Sequence, residues 1–125
     1  MSVTNNGAIL HAATIIGDGS LTNLAAGNAY LGVGDSSTAF SASQNDLVAS
    51  SNKLRKLCTS VSRANGVLTF VTTLSTSEGN FAIEEVGIFN ASAAGYLVSR
   101  KVQSLGTKTS AFSLQITYTT TLTAA

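Results

Sequence analysis

The stretch Leu54-Arg55-Lys56-Leu57-Cys58-Thr59-Ser60-Val61-Ser62-Arg63-Ala64-Asn65-Gly66-Val67-Leu68-Thr69-Phe70-Val71-Thr72-Thr73-Leu74-Ser75-Thr76 reads as a β-hairpin. Asn-Gly tolerates the positive φ angles that a tight two-residue turn needs, and that turn suits the twist of the flanking strands. A two-residue turn also fixes the register. Val61 then faces Phe70 and Leu57 faces Leu74 on one side, while Cys58, Ser60 and Ser62 face Thr73, Val71 and Thr69 on the other. Turn chemistry and apolar pattern agree on one pairing, as a half-buried antiparallel ladder requires.

Further β signals lie downstream. Phe81 to Phe89 and Tyr96 to Val102 are joined by Asn90-Ala91-Ser92-Ala93-Ala94-Gly95, a second hairpin. Even closure of that loop sets Phe89 against Tyr96, Gly87 against Val98 and Glu85 against Arg100, so a cross-strand ion pair between Glu85 and Arg100 is expected. In the last segment Phe112, Leu114, Ile116, Tyr118, Thr120 and Leu122 alternate with Ser113, Gln115, Thr117, Thr119, Thr121 and Thr123. That period of two predicts a long antiparallel strand with one core face and one polar face, and its β-branched threonines favour extended backbone.

Upstream, Ala29 to Val33 reads as a strand buried on both sides. Gly34 to Ser43 is Ser-rich and reads as an exposed loop, and Gln44 to Ser51 as one helical turn or extended chain. Asn6 to Gly17 predicts a short helix capped by Asn6 and left through Gly17. Ile9, Ala13 and Ile16 share one of its faces. The expected architecture is mainly β: one domain over residues 1–125, with an N-terminal arm and short helix in 1–27 and an antiparallel β-sandwich or jelly-roll-like body in 28–125.

Composition narrows the function. Seventeen Ser and sixteen Thr stand against thirteen charged side chains, with one His, one Cys and no Pro or Trp. Charged residues make up 10% of the chain, against roughly 25% in an average globular domain. Catalysis and metal binding draw on clustered His, Cys, Asp and Glu, so the chain is not expected to be an enzyme or to hold a metal or cofactor. A formal charge of +1 argues against nucleic acid and anionic membranes as partners. The apolar run Ala8 to Ile16 is broken by His11 and Thr14 and lacks a basic leader. It is too short to cross a bilayer and is not read as a signal peptide. So little charge on a free monomer is a solubility liability, which predicts a homo-oligomer.

The chemically suggestive residues have plain readings. His11 has no Cys, Asp or Glu beside it and is expected to pack. Cys58, the lone thiol, excludes an internal disulfide and is expected to be inert. Glu84 and Glu85 point to opposite faces of a strand, so they do not form a paired acid and base. Lys53, Arg55 and Lys56 are likewise divided between two faces. Gly32-x-Gly34 lacks the third glycine and the Lys-Ser/Thr of a phosphate loop.

Four short stretches, Tyr30-Leu31-Gly32-Val33-Gly34-Asp35-Ser36-Ser37-Thr38-Ala39, Leu54-Arg55-Lys56, Glu85-Val86-Gly87-Ile88-Phe89-Asn90 and Leu97-Val98-Ser99-Arg100 with a later Lys108-Thr109-Ser110, follow in order. Together they resemble a family of small tailed-bacteriophage virion structural proteins, of the decoration (cement) or tail-fibre-like kind. Asp35 departs from that pattern, which more often has Thr. The resemblance implies a sandwich-like virion component assembled in the bacterial host cytoplasm. Its first implied role is a capsid decoration protein, typically a trimer, that binds the phage major capsid protein. The alternative is a tail or fibre-attachment protein with a host-binding role, partnered by a tail protein. A small carbohydrate-binding module is the reading from a different class. The candidate partner-contact residues are Ser2, Val3, Thr4 and Asn5 in the arm, Asp35, Ser36, Ser37 and Thr38 in the loop, and Thr117 and Thr119 on the polar face of the last strand.

Overall fold

A computed structural model describes residues 3–121. Ser2, Leu122 and Thr123 therefore lie outside the described residues. One helix, α1 (Asn5–Ile15), precedes seven strands: β1 (Tyr30–Gly34), β2 (Lys53–Leu57), β3 (Ser60–Ala64), β4 (Val67–Leu74), β5 (Ala82–Phe89), β6 (Leu97–Thr107) and β7 (Leu114–Thr121). They form two antiparallel sheets, one ordered β2-β1-β5-β6 and the other β3-β4-β7. Leu31, Val33, Val86 and Ile88 of the first sheet pack with Phe70, Leu74, Ile116 and Tyr118 of the second in one buried cluster. The body is thus a β-sandwich with its core between two inner faces.

The Asn65-Gly66 hairpin pairs Val61 with Phe70, Ser60 with Val71 and Ser62 with Thr69, and Asn65 takes φ 53°. The expected strand from Leu54 to Arg63 is broken, however. Cys58 N–H donates to Ala29 O in the first sheet (2.9 Å), and Thr59 N–H donates to Val71 O in the second (2.8 Å). Two consecutive residues hand the chain from one sheet to the other. Leu57 and Cys58 therefore never reach Leu74 and Thr73; β2 pairs with β1 instead. Thr72, fully buried, closes the corner by donating its hydroxyl to Leu57 O (3.0 Å).

The second hairpin also departs from even closure. Phe89 pairs with Leu97, Ile88 with Ser99, Gly87 with Arg100 and Glu85 with Val102. A register shift between Ile88 and Phe89 admits one extra residue on β6, and a second lies between Ile83 and Glu85. The second shift lets Ile83 and Val86, three apart, both reach the core. In β7, Ile116, Tyr118 and Thr120 are buried while Gln115, Thr117, Thr119 and Thr121 are exposed, which is the alternation expected. Phe112 precedes β7, is 44% exposed, and does not extend that core face.

The helix differs from expectation in its cap and its face. Thr4, not Asn6, is the N-cap: its hydroxyl accepts from Gly7 N–H (2.9 Å) and also bonds the Leu97 carbonyl of β6. A hydroxyl that satisfies both the helix and the sheet is favoured over one that serves only the helix. Gly7, Leu10 and Ala13 are buried, and a Cβ at Gly7 would stand 2.1 Å from Val98 O. The helix lies against β6 on that glycine, which turns Ile9 and Ile16 outward. Gly17 takes φ 72° just past the helix end.

Candidate functional site

The outer face of the β2-β1-β5-β6 sheet carries Gly32, Gly34, Arg55, Glu85, Gly87, Phe89 and Arg100 in adjoining register positions. Strand glycines leave this face flat, and the long connection from β1 to β2 lies down on it. Leu47 from that connection packs with Phe89, Leu97 and Tyr30 as a small second core. A Cβ at Gly32 would come within 2.7 Å of the Phe89 ring and 3.1 Å of Leu47, and one at Gly87 within 2.9 Å of Leu97 and 3.2 Å of Leu47. The Gly32-x-Gly34 spacing is thus a seat for the loop.

Glu85 fastens the loop. Its Oε1 accepts from Val48 N–H (2.8 Å) and from Arg100 Nε (2.9 Å), and its Oε2 accepts from Ala49 N–H (2.9 Å) and Ser36 N–H (3.2 Å). Both Glu85 and Arg100 are fully buried. Arg100 Nη1 donates to Gln44 Oε1 (3.2 Å), while its Nη2 meets no partner among the described residues. A carboxylate can leave water only when its lone pairs are occupied, and here the loop backbone occupies three positions and the arginine the fourth. Gly34 makes the arrangement possible: a Cβ there would lie 2.7 Å from Glu85 Oε2 and 3.0 Å from the Ala49 methyl.

Arg55 holds the neighbouring hairpin loop. It stacks 3.6 Å above the Phe89 ring centroid and donates through Nη1 to Ala91 O (2.9 Å) and Ala94 O (2.8 Å). Asp46 closes the far side, 3.1 Å from Lys53 Nζ and 3.6 Å from Arg55 Nη2. Partial burial pushes the Asp46 carboxyl up, but the Lys53 hydrogen bond, the Leu47 amide and the two cations outweigh it and leave it below its ordinary value.

The crest above this anchorage is small and polar. Asp35, Ser37, Thr38 and Ala39 are exposed and Ser36 is half-buried. Asp35 accepts from Asn52 Nδ2 (2.9 Å), Ser36 Oγ lies 3.0 Å from Thr38 Oγ1, and Gln44 Nε2 donates to Ala39 O (3.1 Å). Asn5 N–H donates to Ala42 O (2.8 Å), which ties the arm to the loop.

The expected contact residues fall in separate places. Asp35 to Thr38 form the crest. Asn5 is exposed beside it, but Thr4 is 1% exposed and spent on capping, and Val3 is half-buried in a bridge to Ser99. Thr4 is thus a structural residue with no surface to offer a partner. Thr117 and Thr119 project from the outer side of the other sheet, away from the crest. Cys58 is buried, and burial pushes its thiol up to about 11. Glu85 takes the cation and Glu84 is half-buried.

Two residues escape sequence reasoning. Gln44 partners Arg100 from a loop whose path no local pattern announces. Lys108 is 2% exposed, its Nζ donating to Asn80 Oδ1 (2.8 Å) and Thr109 O (3.3 Å), with the Phe112 ring centroid 5.8 Å away. A lysine flanked by threonines and serines reads as surface, and only the closing together of two loops buries it. Among the described residues no group of three His, Cys, Asp or Glu is placed to share a metal ion, and no helix is long and apolar enough to cross a membrane. Compared with family models and with curated proteins, the chain matches none.

Proposed function

We propose that the chain is a bacteriophage virion structural protein: a capsid decoration, or cement, protein that acts as a trimer and binds the assembled major capsid shell. The observation that carries this reading is the anchored crest. Ser36 N–H on Glu85, Gln44 Nε2 on Ala39 O and Asn5 N–H on Ala42 O hold residues 35–43, and Val48 and Ala49 fix the return of the loop on the same carboxylate, so less is left to order on docking. The crest is rich in Ser and Thr, and its one charge, Asp35, is already engaged by Asn52. Apart from Asp35, such a surface hydrogen-bonds a partner without stripping water from an ionised group. A protein that binds assembled subunits but not released ones stabilises the shell by mass action.

Co-sedimentation with purified shells tests the reading. The shells should be those of the major capsid protein encoded alongside this chain. The chain should pellet with shells and not with free subunits, and should raise the temperature at which the shell opens. Ser37→Arg and Thr38→Arg should weaken that binding while leaving the melting temperature of the free chain unchanged. Recovery with tails and absence from shells would replace this reading with the tail-protein one. A carbohydrate-binding module would need an exposed aromatic platform, whereas among the described residues the one exposed aromatic ring is Phe112, and it sits near the Lys108 ammonium.

A further inference from the structure

The chain contains two Asn-Gly pairs, Asn6-Gly7 and Asn65-Gly66. Such a pair carries a chemistry of its own. The backbone nitrogen after an asparagine can close a five-membered ring on the carboxamide carbon, and glycine, with no side chain, hinders that approach least. The tertiary structure separates the two pairs. Asn6 and Gly7 lie in the first turn of α1. The Gly7 N–H is held by Thr4 Oγ1 at 2.9 Å, Gly7 is buried, and a Cβ there would stand 2.1 Å from Val98 O. That nitrogen is neither free nor able to turn. Asn65 instead is exposed at the β3–β4 tip with φ 53°, and among the described residues no acceptor meets the Gly66 N–H. Arg63 Nη1 donates to Asn65 O at 2.9 Å. This carbonyl and the Gly66 nitrogen belong to one peptide group. When the nitrogen loses its proton the negative charge is shared with the oxygen, and a guanidinium on that oxygen stabilises it. Among the described residues no carboxylate pairs with Arg63, so its charge is not already neutralised.

We infer that Asn65 is a self-modifying site, assisted by Arg63, that converts to aspartate and isoaspartate with water as the co-reactant. Hydroxide takes the Gly66 amide proton. The exposed tip opens locally, the Asn65 Cα–C bond rotates, and the Gly66 nitrogen attacks Asn65 Cγ. The N–Cγ bond forms, the Cγ–Nδ2 bond breaks, and Nδ2 leaves as ammonia with a proton from water. Water then opens the succinimide at either of its carbonyls; nothing is oxidised or reduced. One opening gives an ordinary aspartate. The other routes the main chain through Cγ and adds an atom to a turn whose two-residue length sets the β3–β4 register. Either product places a carboxylate near Arg63, which is the only charged residue of edge strand β3, and takes the formal charge of the chain from +1 to zero. An edge strand kept from stray pairing by a charge thereby loses that guard as the chain ages. The inference is independent of what the crest binds.

Ageing of the purified chain provides the test. Samples held at pH 8 are digested at acid pH at intervals, and the peptides carrying Asn6 and Asn65 are followed by mass spectrometry and by enzymatic methylation of isoaspartate. In the folded chain the Asn65 peptide should show the mass of an amide exchanged for an acid, while the Asn6 peptide stays unchanged, and the rate should rise with pH. In urea both peptides should convert. Arg63→Gln, at an exposed position, should keep the circular dichroism of the parent and slow conversion in the folded chain by roughly threefold to tenfold, as expected when a charged hydrogen bond becomes a neutral one. In urea the same variant should convert Asn65 at nearly the parent's rate. Persistence of Asn65 in the folded chain, equal conversion of Asn6 and Asn65 there, or a folded Arg63→Gln chain that converts as fast as the parent overturns the inference.

Discussion

Glu85 and Arg100 meet on a diagonal. Arg100 stands across from Gly87 and Glu85 across from Val102, yet Arg100 Nε lies 2.9 Å from Glu85 Oε1 with both side chains fully buried. The bare Cα of Gly87 separates them on that face, and the long arginine reaches along the sheet to the carboxylate. Diagonal neighbours lie roughly 7–8 Å apart at the backbone, within range of long side chains. The pair is the base on which the crest loop rests.

The two partners should therefore be unequal. Glu85→Gln strands a buried guanidinium and sets an NH2 group among amide donors, so it should cost about 3–5 kcal/mol. Arg100→Gln leaves the carboxylate with its three loop amides and should cost less, about 1–3 kcal/mol. Urea melts of the two single variants and the double variant read the costs and their coupling. Equal single costs, or zero coupling, would contradict the geometry.

Gly34→Ala should loosen the loop without touching its sequence. The added methyl would lie 2.7 Å from Glu85 Oε2, displacing the carboxylate from the Ser36 and Ala49 amides at a cost of about 1–3 kcal/mol. Limited proteolysis should then cut between residues 36 and 50 faster than in the parent. Gly19→Ala, where a Cβ meets nothing within 4 Å, should change stability by less than about 0.5 kcal/mol.

Cys58 should resist thiol reagents at pH 8 in the folded chain and react once the chain is unfolded in urea. Burial raises its folded pKa from 9.0 to about 11, so the folded state holds a proton that the unfolded state has lost between those values. The associated stability is complete below pH 9 and declines as pH rises toward 11. Rapid labelling of the folded chain would show the thiol to be open.

At acid pH the responsive group is Glu78. Two contacts from Lys56 Nζ (2.9 and 2.8 Å) and one from Ser75 N–H (2.8 Å) hold its carboxyl down at about 2. Its stabilising contribution is present above its ordinary 4.5 and is lost as pH falls through about 2. The pair is largely solvated, so Lys56→Ala should cost only ~0–1 kcal/mol, and less in high salt. A larger, salt-insensitive loss in thermal melts would show the pair to be shielded.

The faces of β7 should respond differently to one substitution. Ile116→Asp or Tyr118→Asp buries an unpaired charge between the sheets and should unfold the chain; Tyr118 also gives up its 2.5 Å contact with Ser99 Oγ. Thr117→Asp and Thr119→Asp face solvent and should leave the melting temperature within a few degrees of the parent. Equal damage from both pairs would mean that the outer face is covered.

Local chemistry determined much of this architecture. Asn65-Gly66 set its turn and the register of Val61 with Phe70 because both depend on residues a few positions apart. The alternation from Leu114 to Thr121 set the faces of β7 because side chains on a strand alternate whatever their surroundings. The charges of Glu85 and Arg100 required partners wherever burial placed them. The tertiary structure alone decided the rest, because each remaining choice was a competition between distant groups. The chain crosses between sheets at Cys58 because Ala29 O and Val71 O stand on opposite sides of it. The cap fell to Thr4 because the Leu97 carbonyl lies within reach of its hydroxyl. The crest took its course because Glu85, with Gly34 leaving room, offered buried lone pairs to amides 36, 37 and 49 residues away in sequence.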